Sequence, residues 1–158
     1  MKLKKLKKNK LVIILTLILC SCTPLVFAQQ RVDISKRYKI KDVRFSNCTV
    51  CTDCNQHKVI IGKYIELSKQ KFIHSIIDGK YSIQSENVNN PIYVKYSNKQ
   101  LSKWPEYLKE LYNKDLGDLY IVYDDLDFTE FNISAIFYDL EGSNPIEYAS
   151  SCLYDMEN

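Results

Sequence analysis

The sequence predicts a small α+β domain: a mostly antiparallel sheet of about six strands, with one or two helices on one face and an export segment in front. Three observations favour this class. Short apolar segments of two-residue period recur along the chain, a segment of helical period lies among them, and a cationic stretch followed by an apolar one opens the sequence. Without that opening, residues 29–158 suit a single domain.

The opening has the layout of a secretory signal. Six lysines lie between Lys2 and Lys10, and the run from Leu11 to Cys20 is apolar except for Thr16. The cationic head stays on the cytoplasmic side while the apolar stretch enters the export machinery. We therefore predict a signal peptide over residues 1–28, cleaved after Ala28, and a protein exported to the periplasm or secreted.

A second interpretation of the same segment gives a lipoprotein. The residues from Leu19 to Cys22 resemble a bacterial lipobox, which would end the signal at residue 21 and make Cys22 the acylated, membrane-anchored N-terminus. The apolar stretch from Leu25 to Phe27 favours cleavage after Ala28 instead, because a lipoprotein usually continues into a polar tether. An uncleaved anchor stays open too, since Leu11 to Ala28 only approaches the length of a membrane span.

The basic charge of the whole chain comes from the export segment. The chain has 22 basic and 19 acidic residues, and the six head lysines leave 16 basic residues in the remainder. This argues against nucleic acid as a partner, because such binding depends on an excess of Lys and Arg facing phosphates. The remaining charge is uneven: residues 29–103 are basic and residues 104–158 acidic. Complementary pairing between the two halves, or two surface patches of which one meets a charged partner, would explain this.

Strands are expected where apolar residues alternate or where β-branched residues are dense. In the first segment the alternation slips by one residue between Ile40 and Val43, as at a β-bulge. In the fifth, Phe131 opens the apolar phase that continues through Ile133 and Phe137. The predicted segments are 37–45, 58–67, 91–97, 118–125, 131–140 and 146–154.

Two helices are predicted between these strands. In residues 68–78 the apolar side chains from Phe72 to Ile77 fall at helical spacing after Ser68, a candidate N-cap, but Asp78-Gly79 is also a hairpin signal. We favour the helix and leave the hairpin open. The other helix runs from about residue 102 or 104 to residue 115, with Pro105 in its first turn.

A dense group of cysteines is the main candidate site. Cleavage or acylation removes Cys20 and Cys22 from the thiol count and leaves an even number in an exported domain, which points to two disulfides. Any of the three possible connectivities ties Cys152 to the group and closes a loop of about 100 residues. The predicted disulfide residues are Cys48, Cys51, Cys54 and Cys152.

The same group suggests two other chemistries. Cys48, Cys51, Cys54 and His57 are each three residues apart and could bind zinc or copper, although four ligands from one short loop would be crowded. A Cys51–Cys54 pair could be redox-active, but Asp53 would oppose a thiolate. The ferredoxin pattern is incomplete, because its fourth cysteine is missing.

No catalytic constellation emerges from the rest of the chain. Neither histidine lies in a hydrolase motif, and the carboxylates at 124, 125, 127 and 130 lack the EF-hand pattern and are expected to form a solvated turn. Tyr93, Tyr120 and Tyr138 lie on the strand phase opposite the main apolar one, which allows either an exposed aromatic face or a second covered face.

We therefore predict a non-catalytic binding or interaction module of the cell envelope, stabilised by disulfides and without a cofactor. Its partner would be an unknown protein or glycan, and any contact with the membrane would come through the signal segment or a lipid on Cys22. A thiol-redox or Cys/His metal-binding protein is the alternative.

Overall fold

The protein is a single open sheet rather than an α+β domain. In this computed structural model, residues 29–45, 57–77, 83–149 and 152–158 are described, and ten strands within them pair antiparallel throughout. The predicted class of about six strands with covering helices is wrong. The strands are β1 (Gln29–Arg31), β2 (Lys36–Phe45), β3 (Tyr64–Leu67), β4 (Lys71–Ile77), β5 (Ile83–Asn89), β6 (Ile92–Tyr96), β7 (Leu119–Tyr123), β8 (Ile133–Tyr138), β9 (Ile146–Ala149) and β10 (Cys152–Glu157).

Helical structure in the described residues is limited to short turns. The predicted helix over residues 102–115 is one α-helical turn, α1 (Glu106–Lys109), preceded by a 3-10 segment at Asn98–Lys103. Two further 3-10 turns lie at Lys58–Ile60 and Glu130–Asn132. The predicted strand over 58–67 is therefore a turn followed by β3.

The predicted helix over residues 68–78 is the strand β4, paired with β5 along its whole length. Ser68 does not cap a helix. Its hydroxyl donates to the carbonyl of Lys71 at 2.8 Å and accepts from the backbone N–H of Lys71 at 3.0 Å, so it closes the turn between β3 and β4. The hairpin interpretation is the correct one, although its Asp78-Gly79 turn lies outside the described residues.

The sheet order is β1-β6-β7-β8-β9-β10-β2-β3-β4-β5, and the sheet curls so that distant strands meet. Three strands separate β4 from β9, yet His74 on β4 contacts Glu147 on β9 at 2.9 Å. The rings of Phe72 on β4 and Phe137 on β8 also meet edge to face, 5.9 Å apart. The bulge expected in β2 appears as a register shift opposite Asp155 and Met156.

Both faces of the sheet are covered near β7, whose five residues are all buried. Tyr120 and Val122 belong to the core inside the curl, while Leu119, Ile121 and Tyr123 belong to a second core. The segment from Asn98 to Leu116 covers this second core with Trp104 and Leu108, which are 4% and 0% exposed. Burial on both faces explains why β7 reads as a nearly continuous apolar run.

Candidate functional site

A buried histidine between two carboxylates lies inside the curl. Nδ1 of His74 on β4 is 2.9 Å from Oε1 of Glu147 on β9, and Nε2 is 3.1 Å from Oε2 of Glu86 on β5. His74 and Glu147 are 4% and 1% exposed, whereas about half of the Glu86 side chain is exposed. Because an ionised carboxylate only accepts hydrogen bonds, the ring can donate to both partners at once only as an imidazolium, with a proton on each nitrogen.

The surroundings stabilise that charge. Burial lowers the pKa of His74, but the hydrogen bonds and charges of Glu147 and Glu86 outweigh burial and raise the pKa above 6.5. The second carboxylate oxygen of Glu147, Oε2, has no hydrogen-bond partner among the described residues. A buried carboxylate with one unsatisfied oxygen is costly without a nearby cation, so the imidazolium is the group that makes this burial tolerable.

The second histidine lies next to the same cluster. Nδ1 of His57 is 2.6 Å from the hydroxyl of Tyr154 on β10, and Tyr154 is the register partner of Glu147 on β9. Burial, and then the charge of Glu147, raise the pKa of Tyr154. The polar groups therefore follow one another across the sheet, from Glu86 through His74, Glu147 and Tyr154 to His57.

The described residues place both flanks of the cysteine segment beside β10. Phe45, the last residue before it, pairs in register with Cys152, which is buried at the start of β10. His57, directly after it, contacts Tyr154. The three clustered cysteines themselves lie outside the described residues. In the described part of the chain, no three His, Cys, Asp or Glu side chains are placed so that together they could hold a metal ion. The predicted disulfides, metal site and redox pair therefore stay predictions. The clustered cysteines are Cys48, Cys51 and Cys54.

A second candidate site is the loop of residues 124–132, between β7 and β8. Phe131 is 87% exposed and Leu126 is 59% exposed, and the carboxylates among them are all exposed. None of those carboxylates forms an ion pair with the described residues. The solvated acidic turn was expected, but Phe131 was expected to be buried in a strand. It lies instead in the 3-10 turn before β8. The carboxylates belong to Asp124, Asp125, Asp127 and Glu130.

Phe128 anchors this loop to the body of the protein. Its carbonyl accepts a 2.6 Å hydrogen bond from the hydroxyl of Tyr107, and its ring packs edge to face against Tyr123 and lies 5.0 Å from the guanidinium of Arg31. The φ of Phe128 is 46°, a left-handed conformation that is unusual for a bulky side chain. The middle residue of the loop thus contacts the body of the protein, while Leu126 and Phe131 on either side remain exposed.

The three tyrosines on the second strand phase do not form an exposed aromatic face. Tyr93, Tyr120 and Tyr138 are 4%, 2% and 4% exposed, and their hydroxyls donate to the carbonyl of Ser68, the carboxylate of Glu141 and the carbonyl of Leu111. The hypothesis of an aromatic surface for a partner or glycan is wrong for these three residues. They belong to the second covered face that the sequence also allowed.

Ion pairs between the basic and the acidic half of the chain compensate part of its charge asymmetry. Arg44 pairs with Asp155 at 2.9 Å, and Lys95 pairs with Glu141 at 2.9 Å and with Asp118 at 3.3 Å. Each of these pairs joins the basic half to the acidic half. The acidic loop of residues 124–132 takes no part in this pairing among the described residues and keeps its charge facing solvent.

Comparison with known proteins does not add to this picture: no family model, curated protein sequence or solved structure matches the chain. None of the helices in the described ranges is long and apolar enough to span a membrane.

Proposed function

We propose that this protein is an exported, non-catalytic binding module of the cell envelope, stapled by disulfides, and that it contacts its partner through the loop of residues 124–132. The observation that carries the proposal is the exposure of Phe131 and Leu126 on a loop whose centre is fixed. An aromatic side chain held in solvent gains free energy only when a partner covers it, and aromatic anchors dominate the energetics of binding surfaces.

The shape of the loop supports the same function. A loop that is already ordered loses less conformational entropy on binding than a mobile one. Phe128 supplies that order at the cost of a strained backbone, and strain of this kind concentrates at binding sites. The surrounding carboxylates favour a partner protein that carries basic side chains beside an apolar pocket.

His74 is not placed to act as a general acid or base. A general acid or base must exchange a proton with a substrate, but both nitrogens of His74 are occupied by carboxylates, and the ring is 4% exposed. The arrangement is that of a structural ion cluster.

Site-specific photo-cross-linking tests the surface. A benzophenone amino acid is placed at position 131 or 126 of the exported protein in cells, and at Val59 or Ile83, which are 52% and 40% exposed on other parts of the surface, as matched controls. We expect a discrete adduct with a protein from positions 131 and 126 only. Equal adducts from all four positions, or none from positions 131 and 126, would contradict the proposed surface.

Intact mass tests export and the disulfides. We expect the envelope form to begin at Gln29 and its four cysteines to react with an alkylating agent only after reduction. The short reach from Phe45 to Cys48 supports a long-range bond. Phe45 is the register partner of Cys152, and the three residues from Phe45 to Cys48 span at most about 11 Å. Thiols that react without reduction, or stoichiometric zinc or copper, would favour the thiol or metal alternative, while an acyl mass on Cys22 would show the lipoprotein form.

A further inference from the structure

Within the described residues, half of the β4–β5 hairpin pairs with no strand outside the hairpin. Only Phe72 and Ile73 of β4 pair with β3, at Leu67 and Glu66, whereas β4 and β5 pair with each other through Ile77 and Ile83. The distal hairpin, defined as residues 74–77 with residues 83–86, is therefore held to the rest of the described structure by side chains rather than by ladder hydrogen bonds.

The His74 cluster is the polar link that holds this distal hairpin. It joins β4 and β5 to β9, a strand from the opposite part of the sheet, through hydrogen bonds of 2.9 and 3.1 Å. Behind the ring, the Phe72 ring lies with its centroid 4.6 Å away, tilted by 37°, and it also meets the ring of Phe137. The ring of Phe72 is apolar, so only the two carboxylates balance the imidazolium charge directly.

The titratable groups that face His74 come from two neighbouring strands. Glu86 faces it from β5 and Glu147 from β9, and both are acidic. On β10, Tyr154 stands opposite Glu147 in the register and contacts His57 at the end of the cysteine segment. The charge of the ring is thus set by two carboxylates, with a phenol and a second imidazole beyond them.

We propose that His74 is a pH-sensitive latch, which fixes the distal hairpin against β9 while its ring carries two protons and releases the hairpin when the ring loses one. A neutral imidazole has one donor and one acceptor nitrogen, so it can bond to only one of the two carboxylates and presents a lone pair to the other. The released proton goes to solvent. The buried Glu147 then has lost the cation beside it.

The direction of the pH effect follows from the raised pKa of His74. The latch stabilises the docked hairpin fully below about pH 6.5, which is the pKa of an unfolded histidine. This stabilisation is lost as the pH rises through the higher pKa of the folded state. Between those two values the opening constant of the hairpin rises by up to about tenfold per pH unit, and above the folded pKa it levels off.

Amide hydrogen exchange measured by NMR on the mature protein, residues 29–158, tests the latch. Exchange rates of the distal hairpin are divided by those of β7 after correction for intrinsic base catalysis, while the His74 ring is titrated from its own resonances. We expect the ratio to rise through the ring's titration. A ratio that stays constant across that titration would overturn the proposal.

Two variants distinguish release of the hairpin by His74 from a general loss of stability with pH. His74→Phe removes the titration and keeps an aromatic ring against Phe72, so the ratio should lose its pH dependence; a dependence that persists would overturn the proposal. Glu86→Gln changes a half-exposed partner and retains the histidine, so the ring pKa and the midpoint of the exchange ratio should fall together. A midpoint that stays in place while the ring pKa falls would show that another group controls the opening.

Discussion

Two phenylalanines six residues apart should respond in opposite ways to the same substitution. Phe137 is fully buried on β8 and meets Phe72 edge to face, whereas Phe131 is 87% exposed. Phe137→Ala should lower the free energy of unfolding by about 3–5 kcal/mol, because the transfer free energy of a buried ring is lost and a cavity remains. Phe131→Ala should change it by no more than about 0.5 kcal/mol in either direction, as expected for a surface position.

Equilibrium urea unfolding of the oxidised, mature protein measures both values. Trp104 is buried in the second core and is the single tryptophan of the chain, so its fluorescence reports loss of that core. The two variants should share the wild-type m-value. If Phe131→Ala cost more than about 1 kcal/mol, the ring would support the fold and could not be the solvent-held anchor of a binding loop. A small effect of Phe137→Ala would refute the assignment of the core inside the curl.

Further predictions concern the disulfides, the polar cluster and one glycine. Cys152→Ser should lower the stability of the oxidised protein by about 4–5 kcal/mol, as chain entropy predicts for a loop of about 100 residues; an effect below about 1 kcal/mol in urea unfolding would argue against the long-range bond. Tyr154→Phe should cost about 0.5–1.5 kcal/mol by removing the hydrogen bond to His57, and should leave the NMR titration of His74 nearly unchanged because the hydroxyl does not touch that ring. Gly142→Ala should lower the melting temperature, since an added Cβ would overlap the Asp139 carboxylate that accepts from the backbone of residue 144; an unchanged melting temperature would show that this turn adapts.

Several strands could be located from their pattern, because β2 alternates between a buried and an exposed face and β7 is a short, nearly continuous apolar run. β2 with its bulge, β6 and β7 lie close to the predicted segments. The pattern failed in β4, where Ile73 and Ile77 are apolar and half-buried although they lie between the inward positions, so the apolar residues from Phe72 to Ile77 fit a helix and a strand equally well.

Other strands could not be found because periodicity is absent from them. β5 has six exposed residues out of seven and carries almost no apolar signal, while β1 has only three residues. The last predicted strand, 146–154, is in fact two strands, β9 and β10, that pair with each other. The missing strands account for the wrong fold class, since a sheet of about six strands would have needed helices to cover it.

The candidate site was predictable only in part. The spacing of the cysteines drew attention to His57 and Cys152, and the structure places both residues on or against β10. The His74 cluster could not be predicted, because its members are far apart in the chain and meet only when the sheet curls. Phe131 was misplaced for a local reason: its alternation with Ile133 continues the pattern of β8, but the 3-10 turn at Glu130–Asn132 removes it from that strand.

The edges of the sheet are short or polar, whereas the loop of residues 124–132 exposes apolar side chains. An exposed edge strand invites pairing with other chains, and proteins blunt such edges with short or polar strands. Here one edge is the three-residue β1, and the other is β5, which presents mainly polar side chains. Both edges of the described sheet are thus blunted, whereas Leu126 and Phe131 lie in solvent on an anchored loop. Neither side chain belongs to a core cluster of the described residues, and the proposed binding role would give a physical reason for their exposure.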